Sequence, residues 1–167
     1  MKKATTYLLS VILFSTLLFA ACAPIETADD DSKDEIESVL SRDITSSIIE
    51  AGVFPEMVER GVEDLEQYYF GIATEGVADA SYYISPAGAY SDEITVIRTE
   101  ADSRHLAGIR AFFEEWVDTK ADMWRSYNPE QAQKLDNSII IEKDYYIALF
   151  ICEDPAVAAE IFNNSIA

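Results

Sequence analysis

The segment LAGIRAFFEEWVDTKADMWRSY, residues 106–127, decides the fold. Leu106, Ile109, Phe113, Trp116, Lys120, Met123 and Tyr127 recur at steps of three or four, and Phe112, Val117 and Trp124 widen the stripe. Such spacing places side chains on one face of a helix, because a turn takes about 3.6 residues. Glu114, Glu115, Asp118, Asp122 and Arg125 fall on the opposite face. The pattern predicts a long amphipathic helix over about 101–127, closed by Asn128-Pro129. An aromatic stripe of this kind is more often core packed on a sheet than a ligand groove.

The sheet that the stripe needs is found on both sides. Upstream, residues 93–99 carry Ile94, Val96 and Ile97 with Thr95 and Thr99, a β-branched run that predicts a strand. Residues 80–85, rich in tyrosine and ended by Pro86, predict another. Downstream, 138–142 and 145–152 predict a hairpin around the two-residue turn Lys143-Asp144, with both strands apolar on both faces. Helices flank this centre. Ile36, Val39, Leu40, Ile44 and Ile48 predict one over 34–51, stopped by Gly52. Phe54-Pro55 turns the chain, and Glu63 and Asp64 open a short helix over 62–68. Residues 130–135 add a turn or two, and a last helix runs over 154–163 with Asp154 as cap and Pro155 in its first turn. Strand, long helix, hairpin, helix is not the alternation of a doubly wound sheet. The expected class is α+β: a small, mainly antiparallel sheet packed by one long amphipathic helix, with shorter flanking helices, over 34–167.

The first 33 residues read differently. Lys2 and Lys3, an apolar run over 7–19 and small residues before Cys22 form an export leader over 1–21. Phe19-Ala20-Ala21-Cys22 resembles a bacterial lipoprotein signal, which implies a diacylglyceryl group on Cys22, cleavage before it, and attachment to the extracytoplasmic face of the cell membrane. An ordinary secretory signal cut at an Ala-x-Ala-like site is the competing reading. Two acyl chains anchor stably where one binds reversibly. Residues 22–33, with Asp29-Asp30-Asp31, cannot bury a core and are expected to be an acidic disordered linker without the spaced ligands of a calcium loop.

Charge and cysteine count exclude whole classes. Twelve Lys+Arg against 31 Asp+Glu give a formal net charge of −19. Removing the leader, with its two lysines and no acid, takes this to −21. Such a surface opposes nucleic-acid binding and close contact with anionic head groups. With Cys22 acylated, Cys152 has no disulfide partner and is expected to be a small buried hydrophobe in the apolar run 147–152.

Several stretches together resemble a known family. Residues 48–58 (IIEAGVFPEMV), Tyr69-Phe70-Gly71-Ile72, the strand around Asp92-Glu93-Ile94-Thr95-Val96-Ile97 and the hairpin over 139–151 are similar, in order and spacing, to a family of lipoproteins of Gram-positive bacteria. That family carries a single domain of unknown function after its lipidation motif. The resemblance covers most of 34–165 and implies the same α+β domain in a Gram-positive membrane setting; it implies no activity. The family usually has a glycine in the hairpin turn, where this chain has Lys143-Asp144.

No catalytic set emerges. His105 is the one histidine and is expected at the surface; with Cys152 it cannot supply the three or four ligands of a zinc site. No phosphate loop, dinucleotide fingerprint or metalloprotease motif occurs, so neither cofactor nor metal is implied. Tyr68, Tyr69, Tyr82, Tyr83 and Tyr90 crowd the small Pro86-Ala87-Gly88-Ala89 loop. Sheet packing is the plain reading. Tyr82, Tyr83 and Tyr90 are the candidates for recognition of a peptide or glycan, since tyrosine offers a rigid apolar ring and a hydroxyl. The expected function is a tethered, non-catalytic binding or accessory module acting on an envelope protein, peptide or glycan. The alternative is an envelope hydrolase using carboxylates near the tyrosine-rich loop, which requires a deep pocket holding buried acids.

Overall fold

A computed structural model describes residues 38–100 and 103–166 of the chain, all within the compact unit Ile36–Ala167. The leader, Cys22, the linker over 22–33 and Ile36 lie outside the described residues. Helix α1 spans Ser41–Glu50 and strand β1 Val58–Gly61. A single 3-10 turn, Val62–Asp64, leads into the short helix α2, Leu65–Tyr68. Strands β2, Val77–Ile84, and β3, Glu93–Thr99, follow. The long helix α3 spans Ser103–Arg125 and α4 Pro129–Asp136. The hairpin β4, Ile139–Lys143, and β5, Tyr146–Ile151, precedes helix α5, Pro155–Ser165.

The five strands form one antiparallel sheet in the order β1-β2-β3-β5-β4. This is the expected α+β class, with a second helical layer added. Alternation along each strand divides its side chains between two cores. Ile97, Ile147, Leu149 and Ile151 meet α3 through Leu106, Ile109, Phe113 and Val117. Ile94, Val96, Ala148 and Phe150 meet α1 and α5 through Ile44, Ile48, Ala158 and Phe162. Every residue of β5 is therefore buried, which is why its sequence has no polar phase.

Local differences from the sequence reading have local causes. The first helix begins at Ser41 rather than near 34. Leu40 is extended and exposed, the Tyr146 hydroxyl takes the Val39 carbonyl at 2.6 Å, and the Ser41 amide bonds Asp79 at 2.6 Å. Strand β1 escaped notice because Glu59 and Arg60 give it no apolar alternation; it is an exposed edge strand. The hairpin turn is Asp144-Tyr145, since Lys143 still pairs with Tyr146. Asp144 takes a φ of +52°, the left-handed conformation in which aspartate is tolerated and which glycine takes freely. Met123 and Tyr127 lie at the margin of the α3 stripe and are exposed. Asp154 occupies the cap position of α5 without making the side-chain bond, leaving Pro155 as the start signal.

Candidate functional site

Ser91, Asp92 and Glu93 enter β3 as three consecutive buried polar residues. Each is bonded to a helix. The Ser91 amide donates to Gln131 Oε1 at 2.8 Å, and both Asp92 oxygens accept from Lys134 Nζ at 3.0 Å, so α4 is held twice. Glu93 is fully buried and accepts from Lys120 Nζ of α3 at 2.7 Å. It also accepts from the Tyr68 hydroxyl at 2.9 Å and from the Tyr69 hydroxyl. Because Tyr69 gives its proton to Glu93, the Thr95 hydroxyl is the donor in the Thr95–Tyr69 bond. The buried carboxylate thus receives three donors and one full positive charge, the condition under which such a charge can leave water.

Rings enclose this pair. Lys120 Nζ sits 5.3 Å from the Trp116 ring and 6.0 Å from that of Tyr68, within cation–π range. Tyr69 meets Phe112, Phe113 and Trp116 edge-on or tilted, and Tyr68 stacks on Tyr82 at 5.4 Å. Burial, and then the Glu93 charge, push the Tyr68 and Tyr69 phenols well above their usual value. Burial, with Asp64 nearby, raises Tyr82 to about 12. Burial likewise raises the Cys152 thiol to about 11, which leaves it a buried, protonated side chain of the expected kind.

The three tyrosines singled out from the sequence do not converge. Tyr82 and Tyr83 are consecutive on β2 and point to opposite faces: Tyr82 into the α3 core, Tyr83 against the α1 and α5 side. Tyr90 is exposed, beyond the 3-10 turn Pro86–Gly88 that replaces the expected open loop. The Tyr68 and Tyr82 rings instead help line a cleft of about 210 Å³ with Arg60, Asp64, Gln67 and Ile84. That is smaller than the few hundred Å³ typical of small-molecule pockets. Tyr90 borders a second cleft of about 340 Å³, which Asp92 and Lys134 also line. His105 is half-buried rather than at the surface, its ring packed over Gly76. Among the described residues no three His, Cys, Asp or Glu side chains are grouped to hold a metal ion, and no helix is long and apolar enough to cross a membrane.

Sequence reasoning passed over the Glu93–Lys120 pair, although both members carried a signal. Lys120 occupies the apolar phase of the helix, and Glu93 shares the strand phase of Thr95 and Ile97. A charge in the buried phase of each of two adjacent elements is the pattern an internal ion pair leaves.

A sequence profile of DUF4358, a domain of unknown function, matches residues 50–152. The chain belongs to the DUF4358 family. No curated protein and no solved structure matches the chain. The DUF4358 segment runs from the last residue of α1 to just beyond β5. It takes in the whole sheet, α2, α3, α4 and the polar entry to β3, and it leaves out Cys22 and α5.

Proposed function

We propose that this DUF4358 protein is a lipoprotein of the Gram-positive type, tethered through Cys22 to the extracytoplasmic face of the membrane. Its folded domain is a non-catalytic binding or accessory module for an envelope protein, peptide or glycan. The leader and Cys22 supply the address. The observation that carries the non-catalytic reading is the state of the buried acids. Asp92 and Glu93, the carboxylates closest to the tyrosine-rich turn, are each bonded to a lysine and fix helices to the sheet. Both carboxylates thereby tie helices to the sheet, a structural duty that supports the non-catalytic reading.

The test uses intact cells. The chain should incorporate labelled palmitate and remain with membranes, and Cys22→Ala should abolish both. Cross-linking of the tethered protein should recover a defined envelope component. Membrane retention of Cys22→Ala would refute the tether, and an empty cross-linking profile would refute the binding role. The hydrolase reading is served best by the 340 Å³ cleft that Tyr90 and Asp92 line together, although larger acid-lined clefts of about 440 and 520 Å³ lie along β1–β2 and beside α4. It predicts turnover of envelope glycans that Asp92→Asn eliminates.

A further inference from the structure

Phe70 is 91% exposed, the most exposed large apolar residue described. The chain gives it no freedom to turn inward. Tyr69 and Ile72 on either side are buried, the Ile72 amide closes a turn onto the Tyr69 carbonyl at 2.9 Å, and Gly71 takes a φ of +98°. Positive φ at the third residue is the signature of a type II turn, which places Phe70 at its tip. A Cβ added at Gly71 would stand 4.0 Å from Phe112, so the turn rests against the flank of α3. That flank carries three apolar side chains: Phe112 and Trp116 stack and are half-buried, and Met123 is exposed in line with them beyond the small polar Thr119. From 112 to 123 it extends about 16 Å, three helical turns. Exposed apolar residues scattered singly need no explanation, but a rigid aromatic knob beside an apolar helical flank marks an interaction surface.

The charge around it selects the occupant. Glu115, Asp118 and Asp122 are exposed along the outer side of α3, and Glu66 is exposed one helical turn before Phe70. Asp122 is paired with Arg125, but Glu115 and Asp118 leave the outer margin acidic, and an apolar track with one acidic margin is complementary to a basic amphipathic helix laid along it, the helix-in-groove mode. The same charge disfavours a second copy of this chain and an anionic lipid surface. We propose that the Phe70 turn and the α3 flank form the docking site for a cationic amphipathic helical segment of a partner protein, with Phe70 as its anchor. This rests on the binding-module reading and names the surface and the chemistry of its partner.

The test takes the full-length protein in zwitterionic nanodiscs. It measures binding of a fluorescent 18-residue Leu/Lys amphipathic helix, with oligolysine of equal charge and empty discs as references. Binding should exceed both references and weaken tenfold or more in Phe70→Ala, whose melting temperature should be unchanged because the side chain is solvent-exposed. Equal affinity for the wild type and Phe70→Ala, or for oligolysine and the amphipathic helix, overturns the assignment. So does sedimentation in detergent that shows a dimer dissolved by Phe70→Ala, which would make a second copy the occupant. If the peptide fails to bind the wild-type protein while cross-linking in cells still recovers an envelope component from both the wild type and Phe70→Ala, this site falls and the binding-module reading stands.

Discussion

One sheet has two unlike faces. Toward α1 and α5 the interior is aliphatic and aromatic: Ile44, Ile48, Ile94, Val96, Ala148, Phe150 and Phe162 fill it. Toward α3 the same strands present Glu93, Thr95 and Tyr82, and the helices answer with Lys120, Tyr68 and Tyr69. The first face is held mainly by packing, which many arrangements of apolar side chains can satisfy, with the buried Thr45–Ser81 hydroxyl pair at 2.8 Å and the bonds at the start of α1 as its polar exceptions. The second is held by donors and acceptors at fixed positions, which fewer arrangements can. The division is one of emphasis: both faces bury large apolar clusters, and the α3 face adds the polar bonds that fix the register of α3 and α4 on the sheet.

That division can be broken from either side. Phe162→Ala on the apolar face should cost about 4 kcal/mol, since Phe162 is fully buried against Phe150 at 6.0 Å between ring centres. Chemical denaturation measures this, and a loss under about 1 kcal/mol would place the main core elsewhere. On the polar face, Lys120→Met should cost about 3 kcal/mol, because it strands the charge of Glu93. Adding Glu93→Gln should return much of that loss, since the pair acts as a unit. Strict additivity of the two changes would mean that they do not interact.

Alkaline pH probes the buried phenols without mutation: burial raises Tyr68, Tyr69 and Tyr82 on the polar face and Tyr146 on the other. A phenol raised in the folded state is neutral there, so the fold binds its proton more tightly than the unfolded chain does. The associated stability is complete below the usual phenol value of 10.0 and is lost as pH climbs through the folded value, about 12 for Tyr82. Phenolate absorbance of the Tyr68 and Tyr69 pair should rise only with the loss of far-UV ellipticity, and Tyr82→Phe should flatten the pH dependence. A phenolate step well ahead of unfolding would contradict their burial. The smallest effect belongs to the hairpin between the faces: Asp144→Gly should stabilise by about 0.7 kcal/mol by relieving left-handed aspartate. A destabilisation there would mean that the Asp144 side chain contributes more than its backbone strain costs.

The sequence disclosed whatever had a period. The α3 stripe, the β-branched run at 93–99 and the stop at Gly52 were legible because one physical rule set each of them. Strand β1 was not, because its pairing with β2 comes from the sheet edge and not from its own residues. The hairpin turn was misplaced by one residue because Asp144 stands where a glycine would have announced the turn. Of the polar entry to β3, Glu93 left a trace in its strand phase, but Ser91 and Asp92 look like surface residues until Gln131 and Lys134, some 40 and 42 positions away, are brought to them. Exposure of Phe70 had no sequence signal, since it depends on the tight turn that buries Tyr69 before it and Ile72 two positions after it.

The bond from the Tyr146 hydroxyl to the Val39 carbonyl has a mechanical consequence. Val39 is where the chain enters the described domain, and Tyr146 belongs to β5, which lies between β3 and β4. The neighbouring bond from the Ser41 amide to Asp79 leads to β2. Tension applied ahead of Val39 is therefore delivered to interior strands and not to the exposed edge β1, which would peel first.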